Sequence, residues 1–282
     1  PETGKSHIVA TLANSVAGEQ ENWFGFKLNA EKTPGKTVYW VTDEIRSPEQ
    51  ARQIMERSIE RAYGEELSPH LEILDPGGEE LFAVAEIEKR DLDNNSVKTY
   101  KFSKMPALTE LYKMFEKAPP SMVILDSATA LVSGMSVPDQ QAANKAASGL
   151  DQWAEELKCP VITVAHTSQA SYSWPLSKRL SYTARTGSAG VPAGYSSMLA
   201  MSKIHEDDDV KERHMPVNPQ SRNLVAIAQS KMRHGGKCYD SNHPIVFEHG
   251  MDGKMRFATD QTDLLAKKYD DEDDGSNRSG KG

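Results

Sequence analysis

The apolar positions of this chain fall into short blocks whose spacing changes from helical to strand-like and back. Ile8, Val9, Leu12 and Val16 recur at helical spacing, which predicts a helix over residues 5–18 that ends near Gly18. Residues 19–35 lack any such period, and Trp23, Phe24 and Phe26 form an aromatic plug within a predicted loop. Residues 36–42 (K-T-V-Y-W-V-T) make a β-rich apolar run of strand length, closed by Asp43 and Glu44. Pro48 suits the first turn of a helix, with Ala51, Ile54, Met55, Ile59 and Ala62 on one face. Residues 71–74 predict a short strand before Pro76-Gly77-Gly78.

Further along, residues 86–104 are highly charged around Asn94-Asn95, as a surface hairpin or insertion would be. Residues 108–117 are amphipathic and stop at Pro119-Pro120. The run M-V-I-L-D-S at 122–127 is continuously apolar up to its acid, the pattern of a strand buried on both faces of a parallel sheet. Residues 139–157 predict a helix, 159–165 a second buried strand and 223–229 a further one. Strands alternating with helices predict an α/β fold, a mostly parallel sheet flanked by crossover helices. There is no internal repeat.

Composition narrows the class. At 282 residues the chain is long enough for one large α/β domain or two small ones. No apolar run approaches the roughly 18 residues of a membrane span, so no membrane association and a cytoplasmic location are expected. The two cysteines, Cys159 and Cys238, lie in apolar or strand-like contexts and read as buried, reduced thiols. A net charge of −8 argues against nucleic acid coating the whole surface, though not against a narrow channel with local bases. Two acidic clusters, at 205–212 and 270–274, read as a solvated loop and a disordered tail. The division that follows is one domain over 1–262 and an acidic tail over 263–282.

The candidate chemistry begins at Pro1-Glu2-Thr3-Gly4-Lys5-Ser6-His7, where Gly4-Lys5-Ser6 matches the closing half of the phosphate-binding loop G-x-x-x-x-G-K-[ST]. The glycine lets backbone N–H groups wrap a β-phosphate, the lysine reaches the β/γ oxygens, and the Ser6 hydroxyl ligates Mg²⁺. The first glycine of that motif falls two residues before Pro1, so the chain is expected to lack the preceding strand and the start of the loop. Asp126, at the end of its apolar run, fits an acid that holds the Mg²⁺ shell. Glu44 follows the next strand and fits a carboxylate that orients or deprotonates the attacking water, with Asp43 its rival.

Five pieces taken in order carry a resemblance: P-E-T-G-K-S, V-Y-W-V-T-D-E, M-V-I-L-D-S, V-I-T-V-A-H-T-S followed by R-T-G-S-A-G, and A-I-A-Q-S-K-M-R-H-G. The chain resembles the RecA-like ATPases, and within them the plasmid RepA-like hexameric replicative helicases. The resemblance implies ATP and Mg²⁺ as cofactors and Glu44 as the water-activating base. It implies that His166 reports on the γ-phosphate or couples it to nucleic acid. It also implies that Lys231 and Arg233 act on the neighbouring subunit's ATP, Arg233 as arginine finger; both residues also suit a solvated strand end. Three positions depart from the RepA-like pattern: Thr186 separates Arg185 from Gly187, Ala165 replaces a histidine and Gln169 replaces a lysine.

Residues 168–190 are too long for an ordinary strand-to-helix loop and mix Tyr172, Trp174 and Tyr182 with Lys178, Arg179 and Arg185. Single-strand channels use that mixture to stack bases and track phosphates; an incidental surface loop carries it too. Two functions remain open. One is an ATP-driven motor on single-stranded DNA, a hexameric ring with a possible primase or replication-initiation partner. The other is a nucleotide-dependent switch or loader that controls assembly with protein partners without unwinding.

Overall fold

A computed structural model of the chain describes residues 5–24, 26–28, 35–42, 47–90, 96–133, 140–165, 173–181, 196–204, 224–232, 244–249 and 255–257. The two acidic clusters and Cys238 lie outside them.

The first helix, α1 (Lys5–Ala17), is followed by a two-stranded hairpin, β1 (Asn22–Trp23) and β2 (Phe26–Lys27). The predicted loop thus contains a small ribbon that carries the aromatic plug. Next come β3 (Thr37–Thr42), α2 (Pro48–Tyr63) and β4 (Leu71–Leu74). Helix α2 starts where a first-turn proline should put it, with Ser47 as N-cap accepting from the Gln50 N–H. It ends at Gly64, whose φ of 67° is the left-handed conformation that glycine adopts without strain. Ala51, Met55 and Ile59 are buried as the spacing predicted, but Ile54 is 60% exposed. Ile54 lies one residue off that stripe, about 100° round the helix.

The charged stretch forms a hairpin, β5 (Phe82–Arg90) against β6 (Ser96–Lys104), in unbroken antiparallel register. Then follow α3 (Ala107–Lys117), β7 (Pro120–Asp126), α4 (Ala128–Leu131), β8 (Val132–Ser133), α5 (Gln140–Leu157) and β9 (Val161–Val164). Ala142, Ala143, Ala146 and Ala147 line the buried face of α5. Small side chains there let the hairpin approach closely.

The central sheet runs β4-β3-β7-β9 with every pairing parallel. All residues of β3 and β7 are buried, as the continuous apolar run predicted for β7. Strand β9, expected to be buried as well, is half-buried over most of its length because it lies at the sheet's edge among the described residues. Alternation along the strands divides the core in two. Tyr39, Val41, Val123 and Leu125 face the cluster built with α3 and α5. Val38, Trp40, Met122 and Ile124 face Ala10, Ala13 and Ala17 of α1 and Ala51 and Met55 of α2.

The last third departs from the alternating pattern. The strand expected at 223–229 is β11 (Leu224–Met232), and it lies in a separate antiparallel sheet, β10-β11-β12-β13. Its neighbours are β10 (Ser197–Lys203), β12 (Ile245–His249) and β13 (Met255–Phe257), none of which the apolar pattern singled out. A short helix, α6 (Leu176–Arg179), covers one face of this sheet through Leu176 and Leu180. The other face receives Ile8 of α1 and the plug residues Trp23, Phe24 and Phe26 against Ile227, Ile245 and Phe247.

Candidate active site

In a parallel sheet all strand ends of one sense lie on the same edge, and loops leaving that edge share one surface. Asp126 closes β7 there, with only 4% of its surface exposed. It stands in register with Thr42 at the end of β3 and with Val164 at the end of β9. By strand alternation Asp126 falls on the same face as Met122 and Ile124, the face covered by α1.

Lys5 opens α1 and reaches the same edge. Its Nζ donates to the carbonyl of Ala165 at 2.9 Å, one residue past the Val164 that pairs with Asp126. The lysine and the acid, 121 positions apart in sequence, are therefore brought to one strip of the sheet. Ser6 lies within α1, and its hydroxyl is outside the described atoms. His7 is half-buried, and its Nε2 is 3.2 Å from the Tyr63 hydroxyl at the far end of α2. Pro1, Glu2, Thr3 and Gly4 lie outside the described residues, as do Asp43, Glu44, His166, Arg185 and Arg233. Lys231 lies in β11 in register with Met198, and its side chain is not described.

Among the described residues, no three His, Cys, Asp or Glu side chains gather to hold a metal by themselves. Asp126 offers instead one buried carboxylate at a strand end, a sparse oxygen donor. It fits Mg²⁺, which keeps waters and shares its remaining positions with phosphates.

The two described bases of the 168–190 segment have different surroundings. Lys178 is exposed, and its ammonium sits 4.2 Å from the centroid of the Trp174 ring, within cation–π range. Arg179 is 4% exposed, and its Nη2 donates to the Lys203 carbonyl at 3.1 Å. Arg179, expected to track phosphates, is therefore not presented at the surface; it ties α6 to the end of β10. Sequence reasoning missed Tyr63, for which the only signal was its place before a helix-ending glycine. It also missed the Ala165 carbonyl, a backbone group with no residue signature.

The family model for the AAA domain matches residues 1–171. That span runs from the first residues past β9, so it contains Lys5, Asp126 and the end of β9. No curated protein matches the chain. Among solved structures of the same fold is one described as an ATPase domain, with a TM-score of 0.53 and 14% identity over 88% of this chain and 78% of that one. The mostly parallel sheet flanked by helices is the RecA-like α/β arrangement. The chain belongs to the AAA domain family and has a RecA-like fold.

Proposed function

We propose that this chain is an ATP-hydrolysing motor that acts on single-stranded DNA as a subunit of a homo-oligomeric ring, in the manner of a replicative helicase or the helicase module of a primase-helicase. The observation that carries the ATPase part is that Lys5 and Asp126 reach the same carboxyl edge of the parallel sheet: Lys5 bonds the Ala165 carbonyl, and Asp126 is in register with Val164, the residue before it. The AAA domain match over residues 1–171 and a fold shared with an ATPase domain support the same reading.

In this reading Gly4 and the first-turn N–H groups of α1 receive the β-phosphate, and Lys5 neutralises the β/γ oxygens. Ser6 and Asp126 hold Mg²⁺, which when bound spreads the developing charge on the phosphates. Glu44 orients the attacking water. Asp43 is its rival, and the resemblance assigns the role to Glu44. His166 follows directly on the carbonyl that Lys5 holds, which suits a residue that reports on the γ-phosphate. Arg233 supplies charge to the neighbouring subunit's ATP, and Lys231 supports it. DNA is contacted by Lys178 and Arg185, with Trp174 available for base stacking.

The test is ATP hydrolysis by the full chain with and without single-stranded DNA. A motor accelerates turnover when the strand is added. Turnover that ignores DNA, combined with nucleotide-dependent binding of a protein partner, favours the switch or loader. A chain that carries the complete phosphate-loop motif, its first glycine included, yet neither binds nor hydrolyses ATP overturns both.

A further inference from the structure

We propose that Tyr63 is a positioning residue for nucleotide binding, acting through His7 to hold the first turn of α1. The proposal rests on the phosphate-loop reading of Lys5 and Ser6. Tyr63 is the last residue of α2, and Gly64 fixes where that helix stops by donating its N–H to the Glu60 carbonyl. The Tyr63 hydroxyl lies 3.2 Å from His7 Nε2, and the two rings are stacked with centroids 5.9 Å apart and 26° between planes. On its other side Tyr63 meets the edge of Phe24 at 6.1 Å, and Phe24 meets Phe247 of β12 at 5.5 Å. His7 is thus gripped by a side chain that packs on Phe24, which in turn packs on β12.

The position of the grip gives it a consequence for ligand affinity. His7 follows Lys5 and Ser6 immediately, and the backbone N–H groups of a helix's first turn have no partners inside the helix. These are the donors that a phosphate needs aimed at one point, and a first turn that frays must be reordered on each binding event. A hydrogen bond and a stacked ring 56 residues away in sequence remove part of that ordering cost before the ligand arrives. The Tyr63 hydroxyl touches no reacting atom, so its effect falls on binding rather than on the chemical step.

The experiment measures affinity for a fluorescent ATP analogue with Mg²⁺ and steady-state ATP turnover in the full chain. Tyr63→Phe keeps the ring and removes the hydroxyl. It should weaken analogue binding and raise KM by roughly three- to tenfold, the scale of one lost hydrogen bond, while kcat moves less than about twofold. His7→Phe should weaken binding similarly, and Tyr63→Phe in that background should add nothing further. Unchanged affinity in Tyr63→Phe overturns the proposal, as does an equal loss with His7 already replaced. Lys5→Ala separates the two levels. If it leaves analogue binding intact, the phosphate-loop reading itself fails; if it abolishes binding while Tyr63→Phe is silent, only the role of Tyr63 fails.

Discussion

The ring of Phe102 on β6 fills the space that a side chain at Gly149 on α5 would need: a Cβ there would lie 2.3 Å from Phe102 Cδ1. Phe102 is in turn stacked on Phe82, with centroids 5.1 Å apart and 19° between planes, so the ring has little room to retreat. Two effects oppose each other in Gly149→Ala. Alanine favours a helix interior by about 0.5–1 kcal/mol over glycine. Forcing an extra carbon into a packed contact costs about 1–3 kcal/mol. The overlap wins, so urea unfolding should show a net loss of stability, and Phe102→Leu should make the same change less costly.

Burial pushes the Cys159 thiol up to about 12. The fold favours the neutral thiol, so its contribution to stability is complete below the unfolded-state value of about 8.5 and is lost as pH rises through the folded value. The thiolate is the nucleophile, and at a pH of about 8 Cys159 in the native protein should resist iodoacetamide. Peptide mapping after alkylation in and out of urea checks this. Modification of Cys159 in the folded chain at a rate near that of the unfolded one contradicts it.

The base is distinguished by separate substitutions. Glu44→Gln should retain ATP binding and lower turnover by a factor on the order of 10² or more, the scale of a lost general base. Asp43→Asn should leave turnover within a few-fold. The reverse pattern assigns the water to Asp43 instead.

A finger acting in trans has a signature that no single mutant provides. Arg233→Ala should remove most activity with ATP affinity nearly intact, since it meets charge that develops only in the transition state. Activity per subunit should rise with protein concentration as subunits assemble. Mixing Arg233→Ala with Lys5→Ala subunits should restore some turnover, because an intact phosphate loop then faces an intact finger. Mixtures that co-assemble yet stay inactive at every ratio place Arg233 outside the neighbour's site.

Lys178 and Arg179, adjacent in sequence, should behave as opposites. Lys178→Ala should leave the unfolding midpoint unchanged and weaken DNA binding, lowering the salt dependence by about one phosphate contact. Arg179→Ala should destabilise the fold by roughly 1–3 kcal/mol, because the Lys203 carbonyl loses its buried guanidinium donor. Circular dichroism melts beside filter binding at several salt concentrations separate the two.

The parallel sheet was legible because burial on both faces leaves an unbroken apolar run, and V-Y-W-V and M-V-I-L are such runs. The antiparallel sheet was not, for an equally physical reason. β10 alternates around Leu199, which is 62% exposed beside a register shift, and β12 and β13 span only five and three residues. Lys5 and Asp126 were singled out because phosphate chemistry demands fixed residue types, and the fold places both at one edge of the sheet. The burial of Arg179 could not be read from a loop rich in bases and aromatics, since the same letters serve a docked helix and an open channel. Neither Tyr63 nor the Ala165 carbonyl carries a local pattern; each matters only through a partner brought near by folding.

The full enclosure of β3 and β7 also orders the molecule in time. Backbone amides there lie between two apolar clusters and bond to strands on both sides, so they should exchange with solvent deuterium only when the whole domain opens. The half-buried amides of β9 and those of the short β1–β2 ribbon should exchange through smaller, more frequent openings. Among the described residues, Asp126 is therefore fastened to the slowest-exchanging part, whereas the carbonyl that receives Lys5 follows the end of a strand at the sheet's edge. Of the two halves of the site, one is a fixed post and the other can breathe, and local fluctuations of the site should be dominated by the β9 side.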